Sequence, residues 1–328
     1  MAFERDAQKR RAPQLYVRPQ NYHTLTMSVF PEGPGRRSFF KYAPPDTAIA
    51  VLKHRTIRYS SPLRFNDPFD VQSGLHFDFD LETLQEKVLD RITEYAVAAK
   101  APEVDADDSW GKLVLLCRRQ YSKTGLPKDR WRERLAPSFS RLVHDIRDTQ
   151  TKVQSHWVEM LPGMRVFCVS EERDNLLMWA HYAKDHTGVV FELLSLPEYD
   201  NPLSVARRVE YVEQPPPFFT EEEWLADMLA VKRIDIKQLA RRYVYYKSAH
   251  WQYEKEWRVW YPLIPAPPTE YVDTPLTDVE FPALYIGCKA SEPFVAHAVQ
   301  LARSAFPAVR IYRAKSRRDA YSLEYTEV

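Results

Sequence analysis

The first strongly patterned region of the chain predicts a strand, a helix and a second strand. Ser38–Tyr42 (SFFKY) is a short apolar and aromatic run that predicts a strand, and apolar and polar residues alternate over Thr56–Ser61 (TIRYSS), which is the period of a β-strand. Between them, Thr47–Arg55 has the apolar spacing and the basic end of a short helix. Asp46 follows two prolines and is predicted to cap that helix.

A helical period replaces this alternation in residues 79–160. Leu81–Lys100, Trp110–Tyr121 and Trp131–Met160 place apolar side chains three and four positions apart, as amphipathic helices do. We predict a helical insertion at about 79–160 between two β-rich parts of the chain. The pattern leaves open whether this insertion forms a lobe of its own.

Strand character returns in the second half of the chain and sets the predicted fold class. Strands are predicted at Arg165–Ser170, Val189–Leu194, Val205–Tyr211, Trp257–Leu263, Ala283–Ile286 and Val309–Tyr312, with an edge strand in Tyr321–Val328. Helices are predicted from Asp174 or Asn175 to about Lys184, over Glu221–Lys247 and near Pro293–Ser304, and Gly188 is predicted to turn the chain after the first of them. This order predicts an α+β fold with a mixed or antiparallel sheet. We predict a flexible N-terminal arm over residues 1–36 and a single α+β domain over residues 37–328.

The composition narrows the class of protein. With 45% hydrophobic and 28% charged residues the chain is an ordinary globular one, and its net charge of +1 gives no overall attraction to nucleic acid or to an anionic membrane. Only 8 glycines occur, and no GxGxxG, GxxxxGK[ST], HExxH or GxSxG motif is present. Three scattered cysteines, a charged N-terminus and no apolar run of membrane-spanning length predict a cytoplasmic protein without a membrane partner.

The stretch Asp174–Glu192 (DNLLMWAHYAKDHTGVVFE) is dense in aromatic residues, histidine and charge. In one interpretation, Tyr182 and His181 only pack and satisfy local hydrogen bonds. In the other, they form with Trp179 an aromatic and polar wall for a planar ligand. His181 and His186 lie five residues apart without further ligands at a defining spacing, so no metal site is predicted.

The second dense stretch is Lys247–Trp260 (KSAHWQYEKEWRVW). If a strand begins near Tyr253, the side chains of Glu254, Glu256 and Arg258 share one face of it. That face is either a solvated charged surface or a site whose carboxylates are altered by burial beside the flanking tryptophans.

Four blocks of sequence, taken in order, resemble a bacterial family of unknown function, number 2971 among the domains of unknown function. They are Phe39–Tyr42 (FFKY), Tyr59–Asp70 (YSSPLRFNDPFD), Leu177–Gly188 (LMWAHYAKDHTG) and Tyr246–Arg258 (YKSAHWQYEKEWR). The resemblance runs from about residue 39 to residue 290, apart from the helical insertion. The family itself implies no settled activity.

More distantly, the order of the blocks is similar to that of ADP-ribosyltransferases, which implies a split β-sheet core and NAD as the substrate. The resemblance implies Glu256 as the catalytic carboxylate, Glu254 as its partner and Tyr182 as the aromatic residue that packs on nicotinamide. Together with the aromatic wall, the residues expected to bind NAD are Lys41, Tyr42, Ser60, Ser61, Trp179, His181 and Arg258. Lys41 or Tyr42 stands where these enzymes usually carry Arg or His, which is a departure from their pattern.

The resemblance predicts an NAD-consuming enzyme that transfers ADP-ribose to a protein or nucleic-acid acceptor or hydrolyses NAD. A carboxylate that holds the ribose 2′-hydroxyl would face the positive charge that develops as the nicotinamide bond breaks. A bacterial toxin or antiviral defence effector, with an antitoxin or another regulatory partner, is the biological role that such an enzyme suggests.

Two other functions stay open on the sequence. One is a metal-dependent nuclease or nucleic-acid-binding defence protein, for which the candidate groups are Asp67, Asp70, Glu192, Lys247, Glu254 and Glu256. The segment Asn66–Asp70 is then either a structured turn or a loop that lines the site. The other function is a non-enzymatic module that binds a partner through the helical insertion.

Overall fold

A computed structural model describes residues 33–232, 242–263, 266 and 268–328 of the chain. Most of the predicted N-terminal arm, residues 1–32, lies outside the described residues. The described chain divides into two compact units. The helical unit contains Gly74–Val158 and Pro216–Tyr243, and the sheet unit contains residues 33–73, Glu159–Pro215 and Val244–Val328. The sequence predicted one domain with an insertion at about 79–160, and the helical unit comprises most of that insertion together with a later stretch of the chain.

The helices of the described residues are assigned as follows. They are α1 (Pro45–His54), α2 (Leu81–Val97), α3 (Ser109–Thr124), α4 (Lys128–Leu135), α5 (Leu142–Met160), α6 (Leu176–His181), α7 (Glu221–Met228) and α8 (Glu292–Ala305). Part of the helix predicted over Glu221–Lys247 falls on residues 233–241, outside the described residues. The described part of that prediction consists of α7, a turn after it, helical residues 242–245 and a strand from Tyr246, so a continuous helix up to Lys247 is wrong.

The strands of the described residues form one large and one small sheet. They are β1 (Arg37–Ala43), β2 (Thr56–Ser60), β3 (Met164–Ser170), β4 (Val189–Ser195), β5 (Arg207–Arg208), β6 (Glu210–Val212), β7 (Tyr246–Ser248), β8 (Glu256–Pro262), β9 (Tyr271–Pro275), β10 (Ala283–Ile286), β11 (Arg310–Ser316) and β12 (Leu323–Glu327). The single strand predicted at Val205–Tyr211 is thus replaced by two short strands that belong to different sheets.

The large sheet runs in the order β12-β11-β10-β4-β1-β3-β2-β9, with β8 paired to β3 and β5 paired to β8. Its pairs are antiparallel except β10 with β11. Strand β1 pairs with β4 along its whole length but meets β3 only where Phe40 lies opposite Ser170. Strand β3 in turn pairs with β8 over seven residues. The coarse prediction of a mixed fold of helices and strands is confirmed.

The two faces of this sheet are covered differently. On one face, Phe39, Phe191 and Leu284 join a large core with residues of α1 and α8, such as Leu52 and Ala298. On the other face, a smaller cluster packs α6 through Met178 and Trp179 against Tyr42, Val190 and Tyr285. Alternate residues of a strand point to opposite faces, so the aromatic and charged residues of the second face are separated from the main core.

Caps and turns explain where several elements begin and end. Pro44 occupies the N-cap position of α1 without a side-chain hydrogen bond, so the predicted Asp46 cap is wrong, and Asp46 lies instead in the first turn. Its negative charge there still interacts favourably with the positive end of the helix dipole. In the helical unit, Thr220 and Glu223 form a reciprocal capping box at the start of α7.

The turn between α6 and β4 differs from its prediction. Asn175, one of two predicted caps, accepts hydrogen bonds from the first turn of α6, which ends earlier than expected at His181. The reversal uses Lys184, Asp185 and His186, all at positive φ. Gly188 serves close approach instead, because a Cβ there would lie 2.2 Å from the Ala43 carbonyl oxygen.

Among the described residues, every helix is too short or too polar to cross a membrane.

Candidate functional site

The centre of the candidate site is a pair of residues on β8. Glu256 and Arg258 lie two positions apart and therefore point to the same side of the strand. The Arg258 guanidinium donates to both carboxylate oxygens of Glu256, at 2.7 Å to Oε1 and 2.9 Å to Oε2. Arg258 is fully buried, which makes these charge-assisted hydrogen bonds a fixed part of the structure.

Glu254 reaches the same place by a different route from the one predicted. It ends a 3₁₀-helix over Ala249–Glu254, and Lys255 then takes the left-handed conformation, with φ of 44°. Strand β8 begins only at Glu256, so the predicted shared strand face for Glu254 and Glu256 is wrong. The Ser170 hydroxyl donates to the Glu254 carbonyl oxygen at 2.7 Å and fixes the backbone at this turn.

Lys247 on β7 joins the two glutamates. Its ammonium group donates to Glu254 at 2.5 Å and to Glu256 at 3.1 Å. Strand β7 pairs in parallel with β6, which sets Tyr211 opposite Lys247. The Tyr211 hydroxyl accepts a hydrogen bond from the Glu256 backbone N–H at 2.8 Å. The small two-stranded sheet therefore supplies two contacts to the start of β8.

Asp70 completes the charged group from the loop after β2. Its carboxylate accepts two hydrogen bonds from Arg258, at 2.9 and 2.5 Å, and lies 3.5 Å from the Lys247 ammonium. The next residue, Val71, has φ of 63°, which is unfavourable for a β-branched side chain. The ion pairs of Asp70 help to hold the loop in this conformation.

We call Asp70, Lys247, Glu254, Glu256 and Arg258 the ion cluster. Each member is 8% exposed or less. Three carboxylates and two cations leave one negative charge in excess within the cluster when all five groups are ionised. Buried charges are tolerated only where partners compensate them, so the excess must rest on the group with the weakest compensation.

The two glutamates have opposite shifts in pKa. Burial raises the pKa of Glu254, and the attraction of Lys247 only partly offsets this effect. Burial acts on Glu256 in the same direction, but Arg258 and Lys247 hold its pKa well below the ordinary range. Glu256 is therefore a permanent anion of the structure, whereas Glu254 is the carboxylate whose proton is easiest to exchange.

Tyr182, the residue after α6, contacts Glu254 directly. Its hydroxyl donates a hydrogen bond to Glu254 Oε1. Burial, followed by the charge of Glu254, raises the pKa of Tyr182, so the hydroxyl stays protonated and acts as the donor. Asn175 fixes both partners, since it caps α6 and also donates to the Tyr253 carbonyl oxygen at 2.5 Å.

Partly exposed aromatic rings from two segments of the chain lie close to Glu254. Tyr182, Trp251 and Tyr253 are half-buried, and His181 is exposed. The Tyr253 ring lies 6.0 Å from Trp251 and 6.2 Å from His181, and the Lys247 ammonium lies 5.1 Å from the Trp251 ring centre. We call these four residues the aromatic rim, and they offer apolar surface next to the buried carboxylates.

Two of the predicted NAD-binding residues are on β1 and point in opposite directions. Tyr42 lies on the α6 side, where its hydroxyl donates to the Glu172 carbonyl oxygen at 2.8 Å. Lys41 points to the other face and donates to the Cys168 carbonyl oxygen at 2.8 Å. The strand register places Glu256 on the face of Phe40 and Tyr42, so Lys41 is separated from the ion cluster by the sheet.

The other predicted residues divide into structural positions and members of the site. Ser61 is buried and donates to the Leu161 carbonyl oxygen at 2.8 Å, while Ser60 ends β2 in register with Val166. Trp179 is fully buried and stacks on His186 at 6.1 Å, as a core residue does. His181 belongs to the aromatic rim, and Arg258 belongs to the ion cluster.

Several residues of the site were missed or were assigned to the alternative function alone. Lys247 and Asp70 entered only as possible nuclease groups, although they pair with the predicted glutamates. In the sequence, each of these two residues is marked only by a single charge next to an aromatic residue. Tyr211 and Ser170 act through hydrogen bonds across the fold and had no local signal, and Asn175 was predicted only as a helix cap and not as a partner of Tyr253.

Comparison with known families supports part of the sequence interpretation. Residues 178–259 match the family described as a protein of unknown function (DUF2971), which confirms the family predicted from the sequence blocks. This segment contains four members of the ion cluster, and Asp70 lies outside it. Neither a curated protein nor a solved structure matches the chain. The resemblance to ADP-ribosyltransferases stays a prediction.

Proposed function

We propose that this member of the DUF2971 family cleaves the bond between nicotinamide and ribose in NAD, and that Glu254 is the carboxylate that contacts the substrate. The supporting observation is that the pKa values of two neighbouring glutamates are shifted in opposite directions. Pairs of carboxylates whose environments push their pKa values apart are typical of acid–base sites. Here Arg258 and Lys247 fix Glu256 as an anion, whereas burial raises the pKa of Glu254.

The charge of the ion cluster suits the chemistry of this bond. When the C–N bond breaks, its electron pair goes to the nicotinamide nitrogen and positive charge passes to the ribose. The excess negative charge of the cluster stabilises that cation, with Glu254 as the proposed point of contact. One such preorganised interaction contributes about 3 kcal/mol to lowering a barrier.

The fate of the ribose cation depends on the nucleophile. In hydrolysis, water adds to the ribose carbon and its surplus proton passes to Glu254 or to solvent. In transfer, a nucleophile of a protein or nucleic-acid acceptor adds in the place of water. Glu254 suits the role of base because its hydrogen bonds from Tyr182 and Lys247 fix its orientation.

The aromatic rim is proposed to bind the nicotinamide ring. Planar rings pack on Tyr and Trp side chains, and half-buried aromatic residues keep surface available for such packing. Trp251 and Tyr253 lie within 6.0 Å of each other, and both belong to the segment that ends at Glu254. In this arrangement Tyr182 has two roles, as a wall of the rim and as the hydrogen-bond donor to Glu254.

The reaction is tested with two preparations of NAD, one labelled in nicotinamide and one in the adenylate part. The full chain is incubated with each, with and without bacterial lysate. Release of labelled nicotinamide measures all cleavage, and adenylate label retained on macromolecules measures transfer. We expect wild type to release nicotinamide and Glu254→Gln to lower the rate on the order of a hundredfold.

Glu198→Gln is the matched control, because Glu198 is exposed and its ion pair within the described residues is with the exposed Arg36, at 2.7 Å. Its activity should equal that of wild type. The proposal is wrong if wild type releases no nicotinamide with any lysate, or if Glu254→Gln is as active as wild type. A bacterial toxin or defence effector under control of a partner protein is the biological role proposed with this activity.

The alternative, a metal-dependent nuclease, has weaker support in the ion cluster. Carboxylates that bind a divalent cation need free oxygen lone pairs directed at one point. Here Lys247 and Arg258 already take the hydrogen bonds of Asp70, Glu254 and Glu256. A nuclease assay of the same preparation with magnesium and with EDTA tests this second function. Degradation that EDTA abolishes and Glu254→Gln preserves would favour a metal site elsewhere.

A further inference from the structure

A second concave site lies on the sheet unit, formed by strands β4, β10, β11 and β12. It is an open groove of about 520 Å³. Six of its lining residues are Arg173, Glu192, Tyr285, Arg310, Tyr312 and Tyr325. The volume is within the range of small-molecule sites, which is about 300–1,000 Å³. None of these six residues belongs to the ion cluster or to the aromatic rim.

The register of the strands explains why this surface is hollow. Phe40, Glu192, Ala283 and Arg310 lie opposite one another on four successive strands and form one row across the sheet. Ala283 is the smallest side chain of the row and separates Glu192 from Arg310. The next row places Tyr285 beside Tyr312. Large side chains around a small one produce a depression with an acidic and a basic end.

The tyrosines give this groove a planar wall. The rings of Tyr285 and Tyr312 stack with centres 5.2 Å apart and planes at 13°, and Tyr325 meets Tyr285 edge-on at 5.2 Å. The Tyr285 hydroxyl donates to Glu192 at 2.8 Å, which fixes the inner ring. Tyr312 is half-buried, so its ring is held by the stack and still borders the groove.

The two arginines of the groove differ in the contacts that their guanidinium groups make. Arg173 lies between the rings of Tyr285 and Tyr325, at 4.8 and 4.4 Å, and pairs with Asp174 at 2.8 Å. Arg310 is exposed and forms no ion pair with the described residues, and its guanidinium lies 5.9 Å from the centre of the Tyr312 ring. A guanidinium without an acidic partner beside an aromatic wall is suited to an anion that carries a ring.

We propose that this groove binds a nucleoside phosphate, with the base against Tyr312 and the phosphate on Arg310. Base stacking on an aromatic side chain favours this class over a simple anion, and a paired hydrogen bond from arginine to phosphate favours it over an uncharged nucleoside. The proposal goes beyond NAD cleavage, because none of the residues that carry it belongs to the ion cluster or to the aromatic rim. The ligand is either a free mononucleotide or the adenylate part of NAD.

Calorimetric titration of the full chain with AMP, GMP, CMP and UMP tests the proposal, beside adenosine and inorganic phosphate. We expect at least one nucleotide to bind more tightly than either fragment. Arg310→Gln should weaken this binding about tenfold, or ~1.4 kcal/mol. Tyr312→Ala should also weaken it, whereas Tyr312→Phe, which keeps the stacking ring, should bind as wild type does.

Arg303→Gln is the matched charge control, because Arg303 lies on α8, which covers the opposite face of the sheet. It should leave the affinity unchanged. Thermal unfolding identifies any variant that fails to fold. If Tyr312→Ala fails to fold, Arg310→Gln alone tests the proposal, because Arg310 is exposed. Titration of Glu254→Gln with NAD separates the two sources of ligand. If adding Arg310→Gln to this variant lowers its affinity for NAD, and if no mononucleotide binds to the protein, the groove is assigned to the adenylate part of NAD.

The proposal is overturned if neither a mononucleotide nor NAD binds in a manner that depends on Arg310. It is also overturned if phosphate alone binds as tightly as the best nucleotide, since the aromatic wall then has no part in recognition. Binding of oligonucleotides without any binding of mononucleotides or NAD would indicate a nucleic-acid surface in place of a nucleotide site.

Discussion

The Tyr182 hydroxyl donates its hydrogen bond to Glu254, and this contact joins residues that are 72 positions apart in the chain. It connects the end of α6 to the 3₁₀-helix before β8. Because Tyr182 stays protonated, the bond favours the ionised form of Glu254 and opposes the effect of burial on its pKa. Glu256 is held mainly by the cations Arg258 and Lys247 instead. The two glutamates should therefore respond differently to substitution.

Tyr182→Phe removes the donor and keeps the ring. Since the bond lowers the pKa of Glu254, its loss should raise that pKa further and shift the acid limb of the pH–activity profile to higher pH. The measurement is nicotinamide release from NAD across pH 5 to 9. Loss of a hydrogen bond to a charged group should also lower the rate at the optimum about tenfold.

Tyr253→Phe is the matched control for this prediction. The Tyr253 hydroxyl makes no hydrogen bond to the described residues, although its ring belongs to the aromatic rim. Its acid limb should coincide with that of wild type. An acid limb that does not move in Tyr182→Phe would show that Glu254 does not control the profile.

Glu256→Gln should destabilise the protein more than Glu254→Gln does. Without Glu256, Arg258 keeps only Asp70 as an acidic partner within the ion cluster, and removing one partner of a buried pair costs about 3–5 kcal/mol. Without Glu254, Lys247 still has Glu256 and Asp70 as acidic partners. The cost of Glu254→Gln should stay near ~1 kcal/mol, the usual value for a lost hydrogen bond.

Unfolding in urea, followed by fluorescence, measures both variants beside wild type. Equal losses of stability for the two would contradict the unequal roles of these carboxylates. A large loss of stability in Glu254→Gln with a small loss in Glu256→Gln would mean that the excess negative charge rests on Glu256 and not on Glu254.

Acid should destabilise wild type through Glu256. The folded pKa of this carboxyl is depressed, so below about 4.5 the unfolded chain takes up a proton that the folded protein does not accept. The stability contributed by Glu256 is present above this pH and decreases as the pH falls further. Glu256→Gln lacks the carboxyl, so its stability should fall less steeply between pH 5 and 3. Parallel curves for the two proteins would contradict this linkage.

Local patterns predicted the elements of the fold more reliably than the partners of its charged residues. The apolar residues of β1, β2 and β3 record burial in the sheet directly, and β3, which is mostly apolar, is buried on both faces. The pairing of Lys247 with Glu254 depends on where two sheets meet, which no local period encodes. A shared face for Glu254 and Glu256 required a strand that begins near Tyr253, yet Lys255 adopts positive φ and β8 begins only at Glu256.

The turn after α6 gives a further prediction, on Gly188. A Cβ at this position would lie 2.2 Å from the Ala43 carbonyl oxygen, and the nearby Gly287 N–H donates to the Gly188 carbonyl oxygen at 2.9 Å. Gly188→Ala must therefore move backbone on β1 or β10, and we expect a loss of roughly 2–4 kcal/mol, as for overpacking of a rigid core.

Gly35→Ala separates lack of space from unfavourable backbone conformation. Gly35 has φ of 68° and no atom within 4 Å of a Cβ, so it has the conformational penalty alone. That penalty is about 1 kcal/mol. Urea unfolding of both variants should show the larger loss in Gly188→Ala, although this glycine does not have positive φ. A larger loss of stability in Gly35→Ala would mean that β1 and the turn after α6 move apart at little cost. The position of Tyr182 would then not depend on the close approach of Gly188 to Ala43.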